Sequence, residues 1–143
     1  MARAPRHWML NLLIVLAVLF SLLAFALHSR NWTRLQEDRL QVLSGLYYEE
    51  LAYSDLDSVL WVEKIPRMER RHGFSFWARE KGVFVDSLNP QRPVYVFVDD
   101  LRQHKIKLRY QDTLVLYLNF PDSLETRSMY QYLIDHWKQE VPE

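Results

Sequence analysis

Residues 8–27 read WMLNLLIVLAVLFSLLAFAL, and this stretch decides the architecture of the chain. Its only polar side chains are those of Asn11 and Ser21, and no charge interrupts it. As a helix it would be about 30 Å long, which matches the hydrocarbon thickness of a bilayer. The rest of this 143-residue chain is too small to surround such a helix on all sides. We therefore predict that residues 8–27 span a membrane, with the lipid bilayer as their partner.

The same stretch has a second interpretation as a cleaved signal peptide. Ala24-Phe25-Ala26 has the small-x-small pattern that signal peptidase accepts, with cleavage after Ala26. The apolar run is longer than the roughly 7–15 residues of a signal-peptide core. A retained anchor is therefore favoured over an exported soluble domain that begins at Leu27.

The orientation of this anchor depends on the basic residues around it. Arg3 and Arg6 precede the span and three arginines follow it closely, so the positive-inside rule alone is close to a tie. A short basic N-terminus with no domain ahead of the span is typical of a signal anchor. We predict a single-pass protein of the cell inner membrane, with residues 1–7 as a short cytoplasmic tail and the C-terminal domain in the periplasm.

Composition argues against several classes of protein. The 18 Lys/Arg and 18 Asp/Glu residues balance to a formal charge of zero. Nucleic-acid binding is therefore not favoured, because it draws most of its affinity from neutralised phosphates. The absence of cysteine removes disulfides, thiolate catalysis and Cys-ligated metals. Five Trp, eight Tyr and seven Phe supply apolar area for a folded core.

Residues 28–63 contain no proline and are rich in Leu, Glu, Gln and Arg. This composition predicts a juxtamembrane amphipathic helix that continues from the span. One heptad frame fits the segment, and alternating spacings of three and four residues are typical of a coiled-coil seam. The seam positions that would bind a partner are Trp32, Leu35, Arg39, Val42, Leu46 and Glu49, and Tyr53, Leu56 and Leu60 continue the seam.

A second apolar stripe on the same predicted helix leaves an alternative open. Leu40, Leu43, Tyr47 and Leu51 form this stripe, so the helix could instead pack on its own C-terminal domain. The first interpretation predicts a membrane-protein partner or a homo-oligomer through the helix, and the second predicts an intramolecular core. A helix with two stripes can serve both.

Residues 64–143 predict a small α+β domain with three to five antiparallel strands. Phe74–Ala78 and Val83–Val85 suggest two short strands around a turn that contains Gly82, and Val94–Val98 is a strand by its β-branched and aromatic content. Alternation in Lys105–Tyr110 turns Ile106, Leu108 and Tyr110 inward, and Gln111-Asp112 connects to a hairpin partner at 113–118.

The C-terminal segment predicts a helix on one face of this sheet. Asp122-x-x-Glu125 is a capping-box pattern that opens the helix, which runs to about Glu140. The inward candidates are Met129, Leu133, His136 and Trp137. The fold class is therefore α+β, with a membrane helix that extends into a long helix, then a small sheet and a final helix.

No motif in the chain predicts catalysis. The five histidines include no pair three or four residues apart, so no metal-binding spacing exists, and three scattered glycines cannot build a phosphate loop. Asp99-Asp100 is better explained as the start of a turn after a strand, because neighbours on a strand point to opposite faces. We predict a non-enzymatic protein with no catalytic residue, cofactor or metal.

A basic cluster is the most site-like feature. Arg67, Arg70 and Arg71 lie close in sequence to Trp77 and to two phenylalanines, Phe74 and Phe76. Arginine and tryptophan are enriched in binding hot spots, so the cluster could bind a partner protein, lipid head groups or glycans. The alternative is that the aromatic side chains belong to the core and the arginines are solvated.

The predicted plan has a short tail, one span, a juxtamembrane helix and a small α+β domain. It resembles bitopic inner-membrane components of bacterial secretion, pilus-assembly and cell-division machines; the resemblance is one of architecture and rests on no shared motif. It implies a structural or assembly subunit that acts through its extracytoplasmic part. The alternative is a small membrane-anchored sensor or regulator, which would need a ligand pocket in the sheet–helix layer and a larger membrane partner.

Overall fold

The computed structural model of the chain describes residues 7–140, so Arg3, Arg6 and most of the predicted tail lie outside it. Two helices, α1 (His7–Ser29) and α2 (Ser123–Glu140), enclose nine strands. The strands are β1 (Asn31–Leu35), β2 (Arg39–Ser44), β3 (Tyr47–Ala52), β4 (Leu56–Val62), β5 (Glu69–Phe76), β6 (Arg79–Asp86), β7 (Asn89–Val98), β8 (Lys105–Tyr110) and β9 (Leu114–Leu118).

The apolar N-terminal helix is confirmed. Helix α1 has 23 residues, and none of its side chains is buried. By length and composition it is able to cross a membrane. Its contacts with the strands are made near its C-terminal end, so most of its length is free to face lipid.

The long helix predicted over residues 28–63 is wrong. Helix α1 ends at Ser29, and four strands follow, with a single 3₁₀ turn over Tyr53–Asp55 in place of a second helix. Strand β2 alternates, with Leu40, Val42 and Ser44 buried. Helix propensity is a weak prior, and pairing between neighbouring strands overrides it here. The coiled-coil seam is therefore wrong as well.

Gly45 lies where the chain reverses direction between β2 and β3. Its φ is +61°, and it is the first residue of the two-residue turn that joins β2 to β3. A two-residue hairpin favours glycine in this position, because most L-residues avoid positive φ. A glycine at position 45 is therefore at least as good a signal for a hairpin as it is against a helix.

Over residues 7–140 the structure has nine strands in two sheets, whereas the sequence predicted three to five. One sheet is antiparallel with the order β1-β2-β3, and the other has the order β4-β8-β9-β7-β6-β5. The larger sheet is mixed, because β7 and β9 run parallel while its other neighbours are antiparallel. The α+β class is confirmed, and the single antiparallel sheet is corrected.

The predicted β8–β9 hairpin is confirmed, and the predicted turn at Gly82 is not. The connection spans residues 111–113, because Tyr110 pairs with Leu114, and Gln111 and Asp112 both have positive φ. Gly82 instead lies within β6, opposite Gly73 of β5, and the chain turns at Trp77 and Ala78. A Cβ on Gly82 would lie 2.3 Å from a carbonyl oxygen of β5, so close strand approach explains this glycine.

Alternation along the strands divides the core between the two faces of the larger sheet. One face packs against the three-stranded sheet and α2. Its buried residues include Leu40, Val42, Leu51, Phe97, Ile106, Leu108, Tyr110, Leu116, Leu118, Met129 and Leu133. The opposite face has a smaller cluster of Phe84, Val94, Val96, Val98 and Tyr117. The inward positions predicted for β8 are confirmed, as are Met129 and Leu133, while His136 and Trp137 are half-buried.

Candidate functional site

The end of α1 is capped by the domain that follows it. The last carbonyl groups of any helix have no partner within the helix. Here Trp32 Nε1 donates to the carbonyl of Ala26 at 3.3 Å, and the backbone N–H of Gly45 donates to that of Leu27 at 3.2 Å. Arg79 Nε donates to the carbonyl of Ser29 at 2.9 Å. Three separate parts of the domain therefore fix the helix end.

Asn31, the first residue of β1, anchors this junction inside the domain. Its side chain is buried, and its Nδ2 donates to the carbonyls of Phe97 and Asn119 at 2.6 and 2.8 Å. Its Oδ1 accepts from Ser44 Oγ at 2.5 Å. The backbone N–H of Asn31 donates to Asp99 Oδ2 at 2.6 Å. Only Arg30 separates this fixed residue from the end of α1, so no linker joins helix and domain.

A buried ion pair lies directly beneath Asn31. Lys81 Nζ and Asp99 Oδ1 are 2.9 Å apart, and both side chains are fully shielded from solvent. Removal from water raises the pKa of Asp99 and lowers the pKa of Lys81, and the charge of each partner opposes that shift. Breaking such a pair leaves one buried charge uncompensated, so each partner depends on the other.

Asn119 and α2 complete the junction on its other side. Asn119 Oδ1 accepts the backbone N–H groups of Asp99 and Asp100, and its Nδ2 donates to the carbonyl of Asp100 at 2.7 Å. Arg30 forms an ion pair with Glu125 in the first turn of α2. The segment that leaves α1 is therefore tied both to the large sheet and to the C-terminal helix.

A cleft of about 740 Å³ opens beside this network. Trp77 and Arg79 line it together with Asp100 and Arg102. The Arg102 guanidinium lies 2.9 Å from the Asp100 carboxylate, and this hydrogen bond lowers the pKa of Asp100. The cleft thus combines an aromatic side chain with charged groups of both signs.

A smaller, more apolar cleft of about 320 Å³ lies against α1 itself. It is lined by Phe25 and His28 of α1 and by Phe74, Phe76 and Arg79 of the β5–β6 hairpin. The rings of His28 and Phe74 are 5.0 Å apart. The end of the helix and the tip of this hairpin are therefore neighbours.

The outer face of the three-stranded sheet carries an aromatic row beside the helix end. The strand register aligns Trp32 of β1 with Leu43 of β2 and Tyr48 of β3. Trp32 and Tyr48 are exposed, and Leu43 is half-buried. We call these three residues, two aromatic and one aliphatic, the aromatic row.

Next to this row lies an ordered polar network around Glu50. Its carboxylate accepts hydrogen bonds from Arg39, Gln41 and Tyr48 at 2.6 to 2.9 Å. The hydrogen bonds from Gln41, Arg39 and Tyr48 lower the pKa of Glu50 to about 2. The charged side chains of this face are thus held in defined positions.

The six residues predicted to form a helical seam all belong to the three-stranded sheet or its β2–β3 turn, where they no longer share one face. Val42 is in the core, and Glu49 is half-buried with Tyr110 OH 3.3 Å from its carboxylate. Leu46 is exposed in the β2–β3 turn. The other three, Trp32, Leu35 and Arg39, lie on β1 and β2 and keep exposed surface.

The basic cluster is likewise divided. Arg70 donates to Ser75 Oγ and lies over the Phe84 ring, whereas Arg71 donates to the carbonyl of Pro90 in β7 at 3.5 Å. Arg67 is exposed in the loop before β5. The alternative that buried the aromatic residues in the core is wrong for Phe76 and Trp77, which are both exposed.

Sequence reasoning missed the buried residues Asn31, Lys81, Asp99 and Asn119. One signal was present for Lys81, because period-two alternation places it on the same face of β6 as the buried Val83 and Val85. A lysine in such a position is rare unless a buried acid pairs with it. Nothing local to Asn31 or Asn119 predicts their partners; apart from Ser44, the partners of Asn31 lie 66 or more residues away.

The chain matches no protein family model, no curated protein and no solved structure at a significant level.

Proposed function

We propose that this chain is a signal-anchored, single-pass protein of the bacterial inner membrane whose periplasmic domain acts as a non-enzymatic structural or assembly subunit of an envelope complex. The observation that carries the proposal is the capped end of α1. A tethered domain needs a linker, whereas only Arg30 lies between this helix and the first strand.

A rigid mounting suits a subunit whose role is to hold a surface in place. The donors from Trp32, Gly45 and Arg79 restrain the helix end from three sides. A domain held in this way keeps each of its faces at a fixed height and angle above the bilayer. The same arrangement supports a retained anchor over cleavage after Ala26, because cleavage would remove the helix that these donors cap.

The aromatic row is the surface we assign to a protein partner. It begins at Trp32, which contacts the last turn of α1, so a second membrane protein that lies along α1 would meet the row as it leaves the bilayer. Tryptophan, tyrosine and arginine are the residue types enriched in binding hot spots. The row and the Glu50 network replace the helical seam as the proposed contact.

Photocrosslinking in the native membrane tests this proposal. A benzophenone amino acid at Tyr48 is expected to form an adduct with one defined membrane protein, or with a second copy of the chain. The same probe at Leu60 is the control, because Leu60 is about as exposed as Trp32 but lies on β4 of the other sheet. An adduct that forms equally at both positions, or at neither, would contradict the assigned face.

The cleft favours a second candidate, a membrane-anchored sensor or regulator. The cleft between Trp77, Arg79 and Arg102 has room for a small molecule, although it lies at the junction and not between sheet and helix as the sequence suggested. Native mass spectrometry of the purified protein separates the candidates. A stoichiometric small molecule that is lost in Arg79→Gln would favour the sensor, and a stoichiometric protein partner would favour the subunit.

A further inference from the structure

The most exposed large apolar side chains outside α1 are unevenly distributed. They are Leu88 (86% exposed), Trp77 (85%), Leu46 (80%) and Leu124 (69%). Leu88 lies in the β6–β7 turn, at the end of β6 away from α1. The other three each lie next to a residue that contacts the C-terminal end of α1 or the residue that follows it.

Leu46, Trp77 and Leu124 reach this location from three different elements. Leu46 follows Gly45, whose N–H bonds to Leu27. Trp77 stacks on Phe76, with ring centroids 4.9 Å apart, and Phe76 shares the apolar cleft with Phe25 of α1.

Leu124 approaches from α2. It precedes Glu125, the ion-pair partner of Arg30. Three exposed apolar residues, from a turn, a hairpin tip and a helix start, are therefore each one position from a residue at the exit of α1.

The depth of that point in a membrane is fixed by α1. The apolar run ends at Leu27, so the residues that follow it leave the hydrocarbon core and enter the head-group region. Groups in contact with Phe25, Leu27 and Ser29 must lie at the same depth. Tryptophan and other amphipathic side chains are favoured there, and cations such as Arg30 and Arg79 suit the phosphates of that layer.

Backbone conformation at Trp77 gives an independent reason to look for a role. Its φ is +53°, a region that bulky residues rarely adopt. Such strain persists where the surrounding structure enforces it, and it clusters at functional positions. Here a two-residue turn takes this φ at its first position, and the residue that occupies it is an exposed tryptophan in place of the glycine found at Gly45.

We propose that Leu46, Phe76, Trp77 and Leu124 form a membrane collar that inserts into the interface of the same bilayer that α1 spans. The domain then rests on the lipid surface and does not stand away from it. The collar is separate from the aromatic row and contacts lipid, so it needs no protein partner.

Site-directed spin labelling of the full chain in phosphatidylcholine nanodiscs tests the collar. The chain has no cysteine, so Leu46→Cys, Trp77→Cys and Leu124→Cys each give one label, and Leu88→Cys is the matched control. We expect labels at the three collar positions to collide more with oxygen, which partitions into lipid, than with a water-soluble nickel chelate. The label at Leu88→Cys should show the reverse. Collar labels that behave like the control would overturn the proposal.

A second measurement keeps the native indole in place. The emission of Trp77 is taken as the difference between the unmodified protein and Trp77→Phe in the same nanodiscs. Brominated acyl chains are expected to reduce this difference emission, and its maximum should be shifted to the blue. A difference spectrum that is red-shifted and unaffected by bromine would place Trp77 in water. Because the nanodisc holds no partner from the native membrane, a failure of this test does not bear on the proposed partner face. A failure of the crosslinking test likewise does not bear on the collar.

Discussion

The two ends of the domain are built differently. Apart from tyrosines, the buried polar and charged side chains of the described residues all lie at the end next to α1: Asn31, Ser44, Lys81, Asp99, Asp100, Lys105, Asn119 and Thr126. The far end contains the β6–β7 and β8–β9 turns, whose hydrogen bonds join exposed residues. There the N–H of Leu88 donates to Asp86, and that of Asp112 donates to Asp57, at 3.0 and 2.8 Å.

This difference indicates which end of the domain fixes its orientation relative to α1. Burial of polar groups is costly unless each is paired, so apolar side chains would stabilise a core at lower risk. A polar network accepts few alternative arrangements, and one-residue shifts of Asn31 would leave several donors and acceptors unpaired. We infer that the network at the α1 end sets the angle between helix and domain, and that the far end has no such task.

The largest expected effect comes from breaking the buried ion pair. Asp99→Ala leaves the Lys81 ammonium buried without a partner, and we expect a loss of about 3–5 kcal/mol in the free energy of unfolding. Denaturant unfolding in detergent, followed by tryptophan fluorescence, measures it. Asp99→Leu combined with Lys81→Met should lose less than Asp99→Ala alone. A loss below about 1 kcal/mol for Asp99→Ala would mean that the pair is unimportant.

A smaller effect is expected at the turn that touches the helix. Gly45→Ala places a Cβ 3.0 Å from the His28 ring at a φ of +61°, and we expect a loss of about 1–3 kcal/mol in the same assay. Gly45→Asn separates the two causes, because asparagine tolerates positive φ better than alanine. Equal losses would assign the effect to the contact with His28, and a smaller loss in Gly45→Asn would assign it to the backbone. Unchanged stability in both would contradict the role of this turn.

Glu49 lies between the two sheets, and its ionisation makes the stability of the domain depend on pH in a definite direction. Burial raises the pKa of its carboxyl, and hydrogen bonds from Tyr95 and Tyr110 oppose this. A raised folded-state pKa favours the protonated form, so the contribution of Glu49 to stability is greatest below its unfolded pKa and is lost as pH rises through the folded value. Glu49→Gln should therefore stabilise the domain at neutral pH. That gain should shrink toward pH 4. A gain that grows on acidification would contradict a raised pKa for Glu49.

The far end should tolerate change. Leu88→Ser alters a side chain that is almost fully exposed, and we expect the free energy of unfolding to stay within about 0.5 kcal/mol of the unmodified protein. The same denaturant titration serves as the measurement. A clear loss would show that this turn has contacts beyond those of the hairpin, and the contrast between the two ends would weaken.

Local patterns in the sequence predicted part of this fold. The apolar run of α1, the alternation in β8, the Gln111-Asp112 turn and the inward positions Met129 and Leu133 all depend on neighbours within a few residues. Residues 31–62 were misassigned because leucine, glutamate and arginine suit a helix, whereas their pairing as strands depends on residues elsewhere in the chain.

The candidate site was less predictable than the fold. Asn31 is an ordinary polar residue until the chain brings Phe97, Asp99 and Asn119 beside it. The seam assignment selected Trp32 and Leu46, which do lie at the junction, but for a helix that does not exist. Long-range partners decide both the buried network and the membrane collar, and no short pattern encodes them.

The distance between α1 and the far end of the domain tests most directly whether the domain is rigidly mounted on its membrane helix. Spin labels are attached at Leu16→Cys and Leu88→Cys in the full chain in nanodiscs. The distance between them is measured by pulsed electron paramagnetic resonance. A rigidly mounted domain should give one narrow distance distribution, and an insertion of glycine and serine residues after Ser29 should broaden it as a control. A distribution that is already broad without the insertion would contradict a domain rigidly mounted on its membrane helix.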